Sequence, residues 1–416
     1  MAATRTAGLA RLADFVPRAG IDYARDRNVD GGRHQASAVS GLSPWIRRRL
    51  VTEAEAIRAV LARHGTARAE KFIEEVCWRS YWKGWLELRP AVYVRFEREL
   101  KDLERRLAQE RELAGGYQRA VEARSGIACF DSWTTELIET GWLHNHARMW
   151  FASIWIFTLR LPWQLGAAFF YDHLVDADPA SNTLSWRWVA GLHTPGKHYL
   201  ARADNIRKYT QGRFDPAGQL AEDAPALTEA APAVAITRPG FPPDAVSAAR
   251  VGLLLTEEDL QAETWDLPAH VVGIGALPVD QPSPSAPRSR FATRALADGL
   301  ERAGAHFAAP AGATCASGAT ATQTDHLVAW ALSLAVPEIV TAYAPVGPTA
   351  YRLAVLDLRL RAAGIRLVRL QRAWDRHAWP HAHAGFFRFK QAIPALVASL
   401  EDQAPQILGS TSNCTQ

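Results

Sequence analysis

Thr140-Gly141-Trp142-Leu143-His144-Asn145-His146-Ala147-Arg148-Met149 opens the stretch around which the chain is organised. Asp176-Ala177-Asp178-Pro179-Ala180-Ser181-Asn182 and Trp186-Arg187-Trp188 close it. Tryptophans crowd the interval: Trp142, Trp150, Trp155, Trp163, Trp186 and Trp188, with Trp133 just upstream. On a helix, Asn145, Arg148 and Met149 stand three and four residues apart and share a face, as do Trp142 and Asn145. An ordinary core helix does not carry Asn and Arg on its aromatic face. The combination predicts a deep pocket with an aromatic wall and a few convergent polar groups.

The rest of the chain gives that pocket ample support. At 416 residues there is room for two or three domains. A charged fraction of 22% and a hydrophobic fraction of 48% are normal for a soluble globular protein. Fifteen tryptophans (Trp 15) exceed what packing requires. The net charge is only +4, but Arg far outnumbers Lys, and Arg suits planar contacts with phosphate. This balance permits nucleic-acid binding without demanding it, and a GC-rich genome gives the same composition. Cys77, Cys129, Cys315 and Cys414 form no C-x-x-C pair and have no His at zinc spacing. They are too scattered to suggest a metal or iron–sulfur site, so a reduced, cytoplasmic protein is expected. The first residues have no apolar core of signal-peptide length, and no run of eighteen apolar residues predicts a membrane span.

Residues 1–50 are rich in Arg, Gly and Ser and end in Ser40-Gly41-Leu42-Ser43-Pro44-Trp45. Hydroxyls and backbone amides ahead of a helix can hold phosphate or simply cap the helix. From about 45 to 220 the periodicity is helical, with helices expected at 53–64, 67–88, 96–111, 132–139, 145–159 and 165–174. Glu75, Trp78 and Arg79 share a face of the second, and mixed charge makes 96–111 a solvated helix. Composition changes near 221, where an Ala- and Pro-rich linker begins. Beyond it, apolar runs at 251–256, 271–275, 338–344 and 365–370 read as buried strands. They alternate with helices at 289–303, 326–335 and 349–363, which implies a doubly wound, Rossmann-like α/β domain. No G-x-G-x-x-G or P-loop marks its turns, and the Ala/Gly/Thr-rich stretch 308–323 reads as a mobile loop. The expected division is a helical domain at 1–220, a linker at 221–248, the α/β domain at 249–400 and a tail at 401–416.

The segment from about Tyr23 to Gly218 resembles the FAD-binding helical domain of the photolyase/cryptochrome family. Arg27-Asn28 followed by Ser40-Gly41-Leu42-Ser43-Pro44 is similar to that family's phosphate-binding start. Glu75-Val76-Cys77-Trp78-Arg79-Ser80-Tyr81-Trp82 resembles its E-L-x-W-R helix, and Thr140–Met149 its T-G-W-M-H-N-R-x-R-M segment. Asp176–Asn182 and Trp186–Trp188 resemble D-G-D-x-A-x-N and W-x-W. The motifs run in order over nearly half the chain.

The resemblance implies a bent FAD inside a helical bundle. Tyr23, Ser40, Leu42 and Ser43 would cradle its phosphates; Arg79, Asn145, Arg148, Asp176 and Asp178 would hold the flavin. Asn182 would face the flavin N5, and an amide there is similar to photolyases rather than to light-signalling relatives. Glu75, Trp78, Asn145, Met149 and Trp188 match positions lining the lesion pocket of photolyases that act on cyclobutane dimers. Two tryptophans can sandwich flipped bases, with stacking worth roughly 1–3 kcal/mol per base. Glu75 would bond the thymine carbonyl edge. The implied activity is light-driven repair of DNA containing UV photoproducts, by a monomer, without a membrane.

Several positions depart from the family pattern. Trp186 and Trp163 match two of its electron-transfer tryptophans, but the outermost position is Glu110; Tyr117, Trp133, Trp150 and Trp155 are substitutes at hand. His146 and Val39 replace an Arg and a Thr, and 192–209 differs from the usual turn. The family's α/β antenna domain precedes the helical one, whereas here an α/β pattern follows it, so a permuted order is expected. Gly385-Phe386-Phe387-Arg388-Phe389-Lys390 faintly resembles a segment of that domain, which would carry a second antenna chromophore of unknown identity. Arg47, Arg48, Arg49, Arg187, Lys197 and Arg202 are the expected contacts to DNA phosphates. The alternatives are a cryptochrome-like blue-light photoreceptor without repair activity, and an inactive flavoprotein that only binds DNA.

Overall fold

Helix follows helix through the first half of the chain. A computed structural model describes residues 1–32, 38–229, 236, 245–279, 285–314 and 320–402. Its opening helices are α1 (Arg5–Phe15), α2 (Ile21–Asp26), α3 (Ser43–Arg47), α4 (Glu53–Glu87), α5 (Pro90–Leu107) and α6 (Arg111–Val121). They continue with α7 (Ala128–Thr140), α8 (Asn145–Ser153), α9 (Trp163–His173), α10 (Pro179–Ala190) and α11 (Ala203–Tyr209). The expected pair 53–64 and 67–88 is one long element. Thr52 starts α4 with a reciprocal capping box to Glu55, and Gly65 at φ 69° kinks it without ending it. The expected helix 145–159 is α8 followed by a π-helical turn at Ile154–Thr158. Helix α10 escaped the periodicity because the motif residues themselves form it. Asp178 caps it by accepting the Ser181 N–H, Pro179 begins it, and Gly191 at φ 84° ends it.

The second half holds a five-stranded, wholly parallel sheet in the order β3-β2-β1-β4-β5. The strands are β1 (Arg250–Leu255), β2 (His270–Ala276), β3 (Ala311–Thr314), β4 (Glu338–Ala342) and β5 (Arg366–Leu370). Between them run α12 (Ala286–Phe307), α13 (Thr320–Ser333) and α14 (Pro348–Ala362). Leu253 of β1 faces Ile274 on one side and Val340 on the other, and β4 is buried throughout. Strands covered on both faces carry the unbroken apolar runs seen in the sequence. The loop expected at 308–323 is corrected: it contains β3 and the start of α13. Small residues at a sheet edge give little periodic signal. Residues 315–319 lie outside the described residues, as do 230–235 and 237–244 of the linker and 403–416 of the tail. The first part of the linker is tied to the bundle by the Leu227 N–H on the Ala190 carbonyl and by Glu229 against Arg95 and Arg187.

The two halves meet through buried charge. Arg47 makes a two-pronged pair with Glu258, at 2.8 Å for each oxygen. Arg48 lies 3.2 Å from Glu257, and Arg49 reaches Asp375 at 2.7 Å and Asp259 at 3.5 Å. The expectation that Arg47, Arg48 and Arg49 contact DNA is therefore corrected. All three are buried, and a buried guanidinium must find a carboxylate because its desolvation is otherwise uncompensated. Arg187 is likewise buried against Glu229, whereas Lys197 and Arg202 remain exposed. After β5 the chain returns to α4 through α15 (Ala373–Ala378), α16 (Phe386–Lys390) and α17 (Ile393–Asp402). Trp374 donates to Ser80 Oγ at 2.8 Å there.

Candidate functional site

A cavity of about 480 Å³ opens in the helical half, within the range that holds small molecules. Helix α4 contributes Glu75, Trp78, Arg79 and Trp82; α8 contributes Asn145, Arg148 and Met149. The loop before α10 and α10 itself supply Asp176, Asp178, Ser181, Asn182, Ser185, Trp186 and Trp188. Tyr23, Ser40 and Ser43 close one side. The residues come together because one face of α4 and one of α10 meet the starts of α3 and α8 and the Asp178 cap of α10 around one space.

Two carboxylate–guanidinium pairs form the polar wall. Arg148 Nη2 donates to Asp176 Oδ2 at 2.9 Å while its Nε holds the Leu143 carbonyl at 3.0 Å. Burial opposes the charge on Asp176, but Arg148 outweighs it and keeps the carboxyl below its ordinary range. Asp178 is surrounded more completely: Arg79 at 3.3 Å, Lys83 at 3.5 Å and Arg47 at 3.8 Å all face its Oδ2. Against the penalty of burial, Lys83, Arg79 and Arg47 hold this carboxyl well below the usual range. Asp176 Oδ1, buried and on the cavity wall, has no hydrogen-bond partner of good geometry within the protein. Asn182 donates from Nδ2 to the Ala167 carbonyl at 2.7 Å, which fixes its amide against the cavity.

The other wall is aromatic. Trp78 carries Phe386 stacked on one face, and Trp188 lies over Tyr199 with ring centroids 5.8 Å apart. Glu75 stands beside Trp78 on α4, 3.8 Å from Arg27. Its side chain keeps 39% of its surface, open toward the cavity. Its concave surroundings nevertheless push the carboxyl above the ordinary value, with Arg27 opposing.

Two of the expected residues lie elsewhere. Leu42 is buried behind Ser40 and Ser43, its N–H on Ser40 Oγ at 3.2 Å. Trp163 stacks on Phe96 at 5.4 Å and sits under Arg187, away from the cavity. Trp186 instead meets Trp155 edge to face at 6.1 Å, and Trp155 meets the half-buried Tyr117 at 6.0 Å. Glu110 is exposed and paired with Arg106. His146 stacks on Trp150 at 4.1 Å, with Nδ1 toward the Asn28 carbonyl.

Sequence reading missed Lys83, gave Asn28 and Ser181 no role beyond the motifs that contain them, and sent Arg47 to DNA instead of to this wall. Lys83 had a signal, standing one turn beyond Arg79 on the same face of α4. Arg47 had none, because Asp178 and Glu258 are distant in sequence. Among the described residues, no group of three or more His, Cys, Asp and Glu side chains is placed to hold a metal ion. No described helix is long and apolar enough to cross a membrane.

Residues 72–250 match the family described as the FAD binding domain of DNA photolyase. The chain is 31% identical over 192 residues to the deoxyribodipyrimidine photo-lyase of Synechococcus sp., covering 44% of this chain and 38% of that protein. It is 32% identical over 182 residues to that of Streptomyces griseus, covering 41% and 38%. Cryptochrome-1 of Arabidopsis thaliana is 36% identical over 98 residues, covering 24% and 14%. The chain thus spans less than half the length of the curated relatives it matches. The class III photolyase of Agrobacterium tumefaciens superposes with a TM-score of 0.40 at 24% identity, covering 50% of this chain and 43% of that one. The helical half of the chain is thus similar to the FAD-binding domain of photolyases and cryptochromes.

Proposed function

We propose that this chain is a light-driven DNA-repair flavoprotein, a deoxyribodipyrimidine photo-lyase acting on flipped-out cyclobutane pyrimidine dimers. One observation carries the reading. Glu75, Trp78, Asn145, Met149 and Trp188 line the same cavity as the pairs Arg148–Asp176 and Arg79–Asp178.

The donor set fits FAD. An unpaired buried acceptor, Asp176 Oδ1, waits on the polar wall, suited to an N–H of the flavin ring. Arg79, Arg148 and the fixed amide of Asn182 offer donors and charge for a flavin that becomes anionic on reduction. The Ser40 and Ser43 hydroxyls with Tyr23 suit the phosphates. The chemistry reduced FAD supplies when bound is photo-excited donation of one electron to the lesion, recovered once the cyclobutane ring has opened. The protein does the rest. Trp78 and Trp188 give apolar faces on which extruded bases stack. Glu75 holds a proton at its carboxyl to higher pH than a free glutamate and can donate it as a hydrogen bond to a thymine carbonyl. Arg79, Arg148 and Lys83, balanced by Asp176 and Asp178, keep the wall nearly neutral.

The working division remains a helical domain at 1–220, a linker at 221–248, a doubly wound, Rossmann-like antenna domain at 249–400 and a tail at 401–416. A cytoplasmic monomer with a second antenna chromophore belongs to this reading. A cryptochrome-like photoreceptor without repair is the second reading, favoured by the ring contacts of Trp163 with Phe96 and of Trp186 with Trp155, which differ from the family's pairing of the two. One experiment separates them. The purified protein, its flavin reduced, is given a dimer-containing oligonucleotide and blue light. Restored thymines are expected; reduced flavin with no restored thymine overturns the repair reading.

A further inference from the structure

Glu257, Glu258 and Asp259 follow directly on β1, where the strand order of the sheet reverses. In an open parallel sheet that crevice usually takes a ligand. Here the guanidiniums of the helical half, Arg47 to Arg49, fill it. Two of the three pair with groups other than Asp178: Arg48 ends on Glu257 and the Val175 carbonyl, and Arg49 on Asp375, Asp259 and Glu53. Arg47 differs. Its Nη atoms grip both oxygens of Glu258, its Nε donates to the Ala177 carbonyl at 2.8 Å, and the same Nε lies 3.8 Å from Asp178 Oδ2.

We propose that Glu258 is a positioning residue of the flavin site: by compensating Arg47, the sheet domain sets the charge that Asp178 presents to the pocket. The inference rests on the FAD reading above. Asp178 faces three cations, Arg47, Arg79 and Lys83. With Glu258 in place, Arg47 is neutralised from outside and Asp178 answers chiefly to the other two. Without it, only Glu257 and Asp178 still face Arg47, and a larger share of its positive charge falls on the wall. Arg47, Asp178 and Glu258 keep 1%, 2% and 6% of their side-chain surface, so water screens these charges poorly. The sheet domain thereby acts on the cofactor without touching it.

The test is the midpoint potential of bound FAD, read together with FAD retention on gel filtration, in the full chain. Glu258→Gln leaves the pocket more positive, favours the reduced, anionic flavin and raises the potential. Glu258→Asp, which keeps the charge, returns it to the wild-type value. Asp259→Asn breaks an equally buried pair of the same interface that does not reach Asp178; it lowers the melting temperature and leaves the potential in place. Should Glu258→Gln not fold, the doubly neutral Arg47→Gln/Glu258→Gln chain strands no charge. It takes a cation from Asp178 and lowers the potential. An unmoved potential in Glu258→Gln and the double variant, or an equal shift in Asp259→Asn, overturns the proposal alone. A wild-type chain that takes up no FAD overturns the functional reading and this one with it.

Discussion

Phe386 lies flat on Trp78, with ring centroids 3.6 Å apart and planes 8° apart. The C-terminal return of the chain thus backs the aromatic wall of the pocket, and Phe389 adds an edge contact to Tyr81. Stacked pairs contribute roughly 0.5–1.5 kcal/mol beyond the area they bury. Phe386→Ala should lower stability by about 1–2 kcal/mol and loosen Trp78. Thermal unfolding reads the first. Affinity for a dimer-containing oligonucleotide, expected to fall several-fold while FAD stays bound, reads the second.

Glu75 can be separated from the cofactor. Glu75→Ala should cut repair yield and leave FAD content unchanged, measured as thymine restored per photon and as flavin absorbance. Equal loss of FAD would give Glu75 a different role. Its raised carboxyl also makes a stability prediction. A carboxyl whose folded value lies above its unfolded one supports folding in acid, and that support is lost as pH rises through the folded value. Glu75→Gln should therefore be more stable than wild type near neutral pH, with the advantage vanishing in acid. Denaturant midpoints across pH check this.

Asp178 has the opposite sign. Its carboxyl is held well below the usual range, so its contribution is present above the ordinary carboxylate value and lost as pH falls through the acid range. Asp178→Asn leaves Arg47, Arg79 and Lys83 without this carboxylate. Breaking such a buried cluster costs about 3–5 kcal/mol, and FAD retention should fall with it. The acid limb of the wild-type stability profile should flatten in the variant.

The ring geometry predicts which tryptophans carry electrons toward the flavin. Trp186, Trp155 and Tyr117 form a path with centroid steps of 6.1 and 6.0 Å. Trp155→Phe should slow photoreduction of bound FAD by an external thiol more than Trp163→Phe does, followed by flavin absorbance under blue light. A larger effect of Trp163→Phe would return the path to the family's usual positions.

Much of this was legible in the sequence, for identifiable reasons. The alternation of apolar runs and helical periods announced the parallel sheet, because strands buried on both faces must be apolar at every position. Glu75, Trp78 and Arg79 could be placed together because helical spacing is local. What stayed hidden depends on contacts across the chain. Three consecutive arginines look like a surface for phosphate. Only the folded chain brings Glu257, Glu258, Asp259 and Asp375 to them and turns them inward. The strand Ala311–Thr314 hid for a different reason: its small side chains carry too little hydrophobic contrast to mark a period.

The guanidiniums of Arg47 to Arg49 also set an order of events during synthesis. They leave the ribosome some two hundred residues ahead of Glu257 to Asp259, and Asp375 emerges later still. Until those carboxylates arrive, only Glu53 and Asp178 are at hand for the three arginines and burying all of them is unfavourable, so the segment bearing them is expected to stay hydrated while the first helices form. Domains commonly fold in the order in which they are made. On that ordering the early Arg47–Asp178 contact is expected to close fully only once the late sheet carboxylates have joined it.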